Sequence, residues 1–244
     1  MNLALSFTTA GRVLRQVRTD HRTVAMILVV PCVLLGLLAW IYNGTPVFDN
    51  IGPALLGIFP MIVMFIVTSV ATLRERQTGT LERLLTTPMG KGDFMLGYAA
   101  AFGALSAVQA LIATGFAIWV CGLDVAGPLW LLVVVAVFDA VLGTALGLLA
   151  SGFARTEFQA VQFMPAFLLP QFLLCGLLVP RDQLPTVLEW VSNVLPLSYA
   201  VDAMKEIAAN ADPVASVMGD LAIVAAFIGG ALALASLTLS RRSA

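Results

Sequence analysis

The sequence predicts an all-α polytopic membrane protein, and three observations carry that prediction. Hydrophobic residues make up 60% of the chain and charged residues 11%, where a soluble domain carries about 25% charged residues. Six apolar stretches, at about 24–42, 52–73, 95–121, 129–153, 158–179 and 217–239, are near or above the roughly 20 residues that one helical crossing of a bilayer needs. They are apolar on all sides, whereas strands of a membrane barrel alternate apolar and polar residues over about 10 positions. No internal repeat or low-complexity linker divides the chain, so residues 1–244 read as one transmembrane domain.

The first 22 residues predict a helix lying in the headgroup layer. Leu3, Phe7, Ala10, Leu14 and Val17 fall within an arc of about 80° at ~100° per residue, with Arg15, Arg18 and Arg22 on a neighbouring arc. The apolar run behind them has the length of a full span, so it is expected to be a retained helix rather than a cleaved signal. The second span, an uncharged run from Gly52 to Leu73, ends in a charged loop at 74–94. Spans three and four follow, then Arg155, then span five, which is rich in Phe and interrupted by Pro165 and Pro170. Residues 180–216 are too apolar for a free loop. Pro180, Pro185 and Pro196 break them into short helices resting on the outer leaflet, with Trp190 and Tyr199 at the interface.

Basic residues fix the expected orientation. Arg12, Arg15, Arg18, Arg22, Arg74, Arg76, Arg83, Lys91, Arg155, Arg241 and Arg242 fall on one side of this topology, and only Arg181 and Lys205 on the other. Basic loops are cytoplasmic, so both termini are expected in the cytoplasm of a bacterial inner membrane.

Several chemistries are excluded. His21 is the single histidine and lies in the basic N-terminal region, so no Ser–His or Cys–His pair and no histidine metal site can form within the spans. Cys32, Cys121 and Cys175 lie within or at the end of apolar segments without CxxC spacing and read as small buried hydrophobes. Gly90-Lys91-Gly92 is the nearest approach to a nucleotide-binding loop, but Leu85 stands where its first glycine belongs and Gly92 where Ser or Thr belongs. The chain therefore reads as a non-enzyme that binds no cofactor or metal of its own.

Two motifs are left. The stretch LRERQTGTLERLLTTP, residues 73–88, resembles the RExGTLExLLxTP pattern of the membrane subunit of ABC-2 type, daunorubicin-resistance-like exporters. The stretch LCGLLVPRDQLPTVLEWVSNVLPLSYAVDAMK, residues 174–205, resembles that family's pattern after span five, with Cys175 where Ser is frequent, Ser198 where Thr is usual and Lys205 where Arg is frequent. The resemblance covers essentially the whole chain. It implies a permease subunit that pairs with a second permease, identical or related, and docks on a separate cytoplasmic ABC ATPase, which binds ATP and Mg.

The loop after span two then becomes the ATPase-coupling element, with Glu75, Thr80, Leu81, Glu82, Arg83, Leu84 and Leu85 as contact residues. Thr78-Gly79-Thr80 makes a turn, Glu82 falls in the first turn of a following helix, and Leu81, Leu84 and Leu85 form an apolar ridge. In this family spans two and five line the route between subunits, which makes Phe59, Met61, Phe65, Gln162, Phe163, Phe167 and Phe172 candidates for the path of an apolar or amphipathic cargo: a drug, lipid or polyketide. Asp139 is the charge buried in span four, where Gly143, Gly147 and Ser151 repeat at four-residue spacing. Rival readings are a proton-driven transporter working through Asp139 and a non-transporting scaffold or sensor tied to an ATPase.

Overall fold

A computed structural model describes residues 3–78 and 90–238. Among these residues the chain forms helices joined by turns and short irregular stretches, without strands, as a membrane interior requires when each backbone group must bond within its own segment. Helix α1 spans Leu3–Thr19, α2 His21–Ile41, α3 Val47–Gln77, α4 Lys91–Trp119, α5 Leu129–Ser151, α6 Glu157–Leu174, α7 Thr186–Asn193, α8 Pro196–Ala209 and α9 Val214–Thr238, with a 3-10 turn at Arg181–Gln183.

Five of them, α2, α3, α4, α5 and α9, are long and apolar enough to cross a membrane. The stretch read as span five is the exception. Its helix, α6, has 18 residues, about 27 Å at 1.5 Å per residue. Glu157, Gln159, Gln162 and Gln171 dilute its hydropathy, and the chain leaves it where Gly176 takes φ +84°. In the second predicted span the difference runs the other way. Helix α3 starts before Gly52 and continues through Arg74, Glu75, Arg76 and Gln77, because each of these polar side chains finds a partner on a neighbouring element.

Asp20 makes the corner between α1 and α2. Its carboxylate accepts the N–H groups of Arg22 and Thr23, both at 3.2 Å, and the Thr23 hydroxyl at 2.7 Å, satisfying donors that a helix N-terminus leaves open. Thr156 does the same for α6 through Gln159 N–H at 3.1 Å.

Helices α3 and α5 are the centre of the bundle: 72% of the apolar window of α3 is buried, against 17% for α2. Glycine lets them touch backbone to backbone. A Cβ on Gly147 would lie 2.6 Å from the Phe65 carbonyl oxygen, and one on Gly143 would overlap the carbonyl of Met61. Without a hydrophobic force between helices in lipid, this contact area is what holds such a pair.

At one end of the bundle Asp124 N–H donates to Asp49 Oδ1 at 3.2 Å, and Gly127 N–H to Ile207 O at 2.9 Å, so α8 closes over the α4–α5 turn. The other end collects α1, the C-termini of α3, α5 and α9, and the N-termini of α4 and α6. It carries Arg12, Arg74, Arg76 and Arg155 and forms the basic end of the molecule.

Candidate functional site

The first motif begins on the last turn of α3. Arg74, Glu75, Arg76 and Gln77 follow one another there, and at ~100° per residue their side chains leave the helix in four directions. Glu75 points inward and is 6% exposed. Arg12 of α1 meets it with two parallel bonds, Nη1 to Oε1 at 2.9 Å and Nη2 to Oε2 at 3.3 Å, and Nη2 also donates to the Tyr98 hydroxyl of α4 at 3.0 Å. A bidentate guanidinium–carboxylate pair fixes direction as well as distance.

Arg74 reaches the opposite way, to the first turn of α6, where its Nε and Nη2 donate to Glu157 at 2.6 and 2.9 Å. The Arg74 hydrogen bonds hold the Glu157 carboxyl below the ordinary glutamate range. Arg76 donates to the Ser151 carbonyl at the C-terminus of α5, an acceptor the helix cannot satisfy itself and one that carries the negative end of its dipole. Gln77 Nε2 donates to Arg155 O at 2.8 Å. The end of α3 is thus tied to α1, α4, α5 and α6.

Glycine again permits the approach. A Cβ on Gly97 of α4 would lie 2.7 Å from the Thr9 Cβ and 2.9 Å from the Ser6 carbonyl, so α1 lies directly on α4 and brings Arg12 within reach of Tyr98. The buried side of α1 is accordingly Ser6, Thr9, Ala10, Val13 and Val17, while Phe7 is 70% exposed. Of the predicted apolar stripe, Ala10 and Val17 are thus buried and Leu14 packs half-buried against the same core, while Phe7 points outward.

This arrangement also redirects one predicted site residue. Glu75 was expected to face a soluble partner, and instead it is enclosed within the chain by Arg12 and Tyr98. Thr80, Leu81, Glu82, Arg83, Leu84 and Leu85 lie outside the described residues.

The second motif closes the opposite end of the bundle. Arg181 binds both Asp202 and Asn193, and its guanidinium carbon lies 5.3 Å from the centre of the Tyr199 ring. Tyr199 donates to Asn193 O at 2.7 Å, Lys205 donates to the Gly176 carbonyl, and Ser192 Oγ and Ser198 Oγ are 3.0 Å apart. Pro196 sits in the first turn of α8, where its missing N–H costs nothing. Cys175, Ser198 and Lys205 each keep a hydrogen bond, the thiol of Cys175 to Phe172 O at 3.2 Å. The motif is one hydrogen-bonded structure.

Residues 5–208 match the family described as ABC-2 type transporter. The chain belongs to that family. It is 30% identical over 182 residues to the probable multidrug ABC transporter permease YbhR of Escherichia coli (strain K12), covering 73% of this chain and 50% of that protein. It is 26% identical over 201 residues to the linearmycin resistance permease protein LnrN of Bacillus subtilis (strain 168), covering 82% and 52%. A similarity of 27% over 159 residues extends to ABC transporter G family member 20 of Dictyostelium discoideum, covering 65% and 22%. The chain therefore spans about half the length of the curated bacterial permeases it matches.

The predicted path residues of this ABC-2 chain fall into two groups. Met61 and Phe65 have fully buried side chains, and their backbones lie against Gly143 and Gly147 in the α3–α5 seam. Phe59, Phe163 and Phe172 are half-buried, and Gln162 and Phe167 are exposed on α6, with the rings of Phe163 and Phe167 edge to face at 6.1 Å. Asp139 is 1% exposed, and neither carboxylate oxygen has a hydrogen-bond partner among the described residues. No group of three or more His, Cys, Asp or Glu that could hold a metal occurs among those residues.

Sequence reading missed Arg12, Tyr98, Glu157 and the Arg181–Asp202 pair. For Arg12 a signal existed: at ~100° per residue it stands about 60° beyond Arg15, off the arc of the other arginines, and a basic side chain set apart from its solvated neighbours is a candidate for an internal partner.

Proposed function

We propose that the chain is the permease subunit of an ATP-driven exporter that moves an apolar or amphipathic compound out of the cytoplasm. It sits in a bacterial inner membrane with both termini and the basic end inside, pairs with a second permease, identical or related, and draws energy from a separate ABC ATPase docked on the loop after α3. Family membership supports the class of machine, and the names of YbhR and LnrN support a drug-like cargo. Arginines gathered at one end support the orientation.

The observation that carries the coupling is the set of ties on the last turn of α3. Residues 80–85 follow directly from a turn held by Arg12, Tyr98, Ser151, Arg155 and Glu157. A push on this loop reaches the interfacial helix and three others at once, whereas a loop that served only to orient the chain would need no such ties. Glu75 then acts inside the permease, and docking falls to Leu81, Glu82, Arg83, Leu84 and Leu85.

That neither Asp139 oxygen has a hydrogen-bond partner among the described residues supports this reading over a proton-driven route through Asp139. The experiment is a detergent pull-down of the ATPase at two salt concentrations beside an export assay in vesicles. Glu82→Lys and Leu85→Asp are expected to reduce ATPase capture by at least tenfold, with membrane insertion unchanged, since a lost charge-assisted bond is worth ~1.5–3 kcal/mol. Normal capture and export by both variants would reduce the loop to a topological anchor.

A further inference from the structure

Between α1, α2, α3, α4 and α6 the chain leaves a cavity of about 540 Å3, within the range of small-molecule sites. Its lining has two parts. Val13, Val17, Val67 and Phe102 form an apolar interior and are themselves almost fully buried. Asp20, Arg74 and Glu157 line the more exposed side, where the Arg74 and Glu157 side chains are 58% and 44% accessible. None of the residues predicted for the cargo path lines this space. A polar rim over an apolar interior, beside the amphipathic helix α1, has the two-part chemistry of an amphiphile.

The charges choose its head group. Asp20, Glu75 and Glu157 supply three carboxylates, against which Arg12 and Arg74 supply two guanidinium groups. Arg12 is engaged by Glu75 and Arg74 by Glu157; Asp20 takes its hydrogen bonds from uncharged donors only, Arg22 N–H, Thr23 N–H and the Thr23 hydroxyl, and feels Arg74 only through space, so Asp20 and Glu157 share one guanidinium. Those Thr23 bonds hold the Asp20 carboxyl below its usual range, so it stays ionised. Arg15, Arg18 and Arg22 do not line the cavity.

We infer that this cavity is a loading site for a cationic amphiphile taken from the adjoining leaflet, its ammonium or guanidinium head beside Asp20 and Glu157 and its apolar body against Val67, Val70 and Phe102. This rests on the export reading and narrows its cargo to a charge class. Arg74 is the residue the incoming cation displaces from Glu157, so the ion pair acts as the latch of the site.

The test uses the full chain in phosphatidylcholine vesicles, without ATPase or nucleotide, and two photoactivatable probes of equal chain length, a dodecyltrimethylammonium and a dodecyl sulfate. Adducts are located by mass spectrometry. The ammonium probe is expected to label residues 67–71 and Val161 saturably, in competition with unlabelled dodecyltrimethylammonium, and in roughly two- to fivefold excess over the sulfate, the worth of one partly exposed ion pair. Asp20→Asn keeps an N-cap and should bring the two probes towards parity. Val161→Trp, on the accessible wall, should suppress labelling of residues 67–71 by either probe.

Equal labelling by both probes in the unaltered chain overturns the charge assignment. Labelling that does not saturate and spreads over lipid-facing Leu37 and Leu237, or a cavity left unlabelled because lipid or a second copy fills it, overturns the site. Because no ATPase takes part, any of these outcomes leaves the export reading to its own assay.

Discussion

Gly57 on α3 and Asp139 on α5 face each other in the middle of the bundle, and the carboxylate occupies the space a side chain at 57 would need: a Cβ there would lie 2.5 Å from Asp139 Oδ2. The same two helices meet again at Met61 with Gly143 and at Phe65 with Gly147. Three contacts at four-residue spacing on both partners mean that α3 and α5 run parallel in fixed register, and Asp139 is the first of them.

Gly57→Ala is therefore expected to destabilise the fold by about 1–3 kcal/mol, the cost of overpacking a tight contact. Asp139→Ala, which clears the space, should recover most of that loss in the double variant, and Asp139→Asn alone should preserve assembly. Thermal unfolding in mild detergent gives the cycle, and a strictly additive double variant would show that the two residues do not share a space.

The Arg12–Glu75 pair predicts a different cycle. Removing one partner strands a charge in a buried setting, which typically costs about 3–5 kcal/mol. Arg12→Met should therefore release α1 from α4, whereas Arg12→Met with Glu75→Leu should restore much of the contact. A cysteine at Val13, 3% exposed in the intact chain, reports the outcome through its rate of alkylation. Fast alkylation in the double variant as well as the single would mean that the ion pair is needed for more than neutralising Glu75.

The membrane explains which parts of this structure the sequence could reveal. Long apolar runs announce their helices because burying backbone in lipid leaves few alternatives, and the bounds read from them lie within five residues of those observed. The faces are another matter. Lipid tails are as apolar as a leucine, so apolar periodicity on α1 does not separate a side facing lipid from a side facing protein, and Phe7 faces outward while Ser6 and Thr9 are buried. What selects the face is close approach, at Gly97 for α1 and at Gly143 and Gly147 for α3 and α5. Size and apolarity likewise do not show that the backbones of Met61 and Phe65 lie against Gly143 and Gly147. The spacing Gly143, Gly147, Ser151 was readable, but not which helix it would receive.

Acid should loosen the contact between α3 and α6. Glu157 has a depressed pKa in the folded chain because Arg74 bonds its ionised form, so its contribution is fully present above the unfolded value, about 4.5, and is lost as pH falls below it. The pair is largely exposed, so the effect is worth roughly 0.2–1 kcal/mol and should also fall in high salt. Spin labels at Gln77 and Phe158 would follow the distance between about pH 7 and about pH 3.5, which bracket the carboxylate range. Glu157→Gln should flatten that profile, and an unchanged profile in the variant would assign the acid response to another group.

The last prediction concerns the end of the bundle opposite the loop. Gly176 takes φ +84° immediately after α6, a conformation that costs other residues about 1–2 kcal/mol, and its carbonyl accepts the Lys205 ammonium. Two requirements meet at one residue, one on the backbone and one on the charge facing it, and they can be separated. Gly176→Ala should lower stability by about 1–2 kcal/mol, although the bond to Lys205 uses only the carbonyl. A Cβ there would also stand 3.1 Å from Arg181 Cγ, crowding the side chain that holds Asp202 and Asn193. Lys205→Arg keeps a cationic donor and should leave stability unchanged, whereas Lys205→Met leaves the carbonyl without its donor and should cost about 1–3 kcal/mol. Unfolding in detergent ranks the three variants, and cysteine accessibility at Val194, exposed just after α7, serves as a control that α7 has not simply detached. If Lys205→Arg were as damaging as Lys205→Met, the lysine would be held by shape rather than by its hydrogen bond, and the link between α6 and α8 would lie in Arg181 alone.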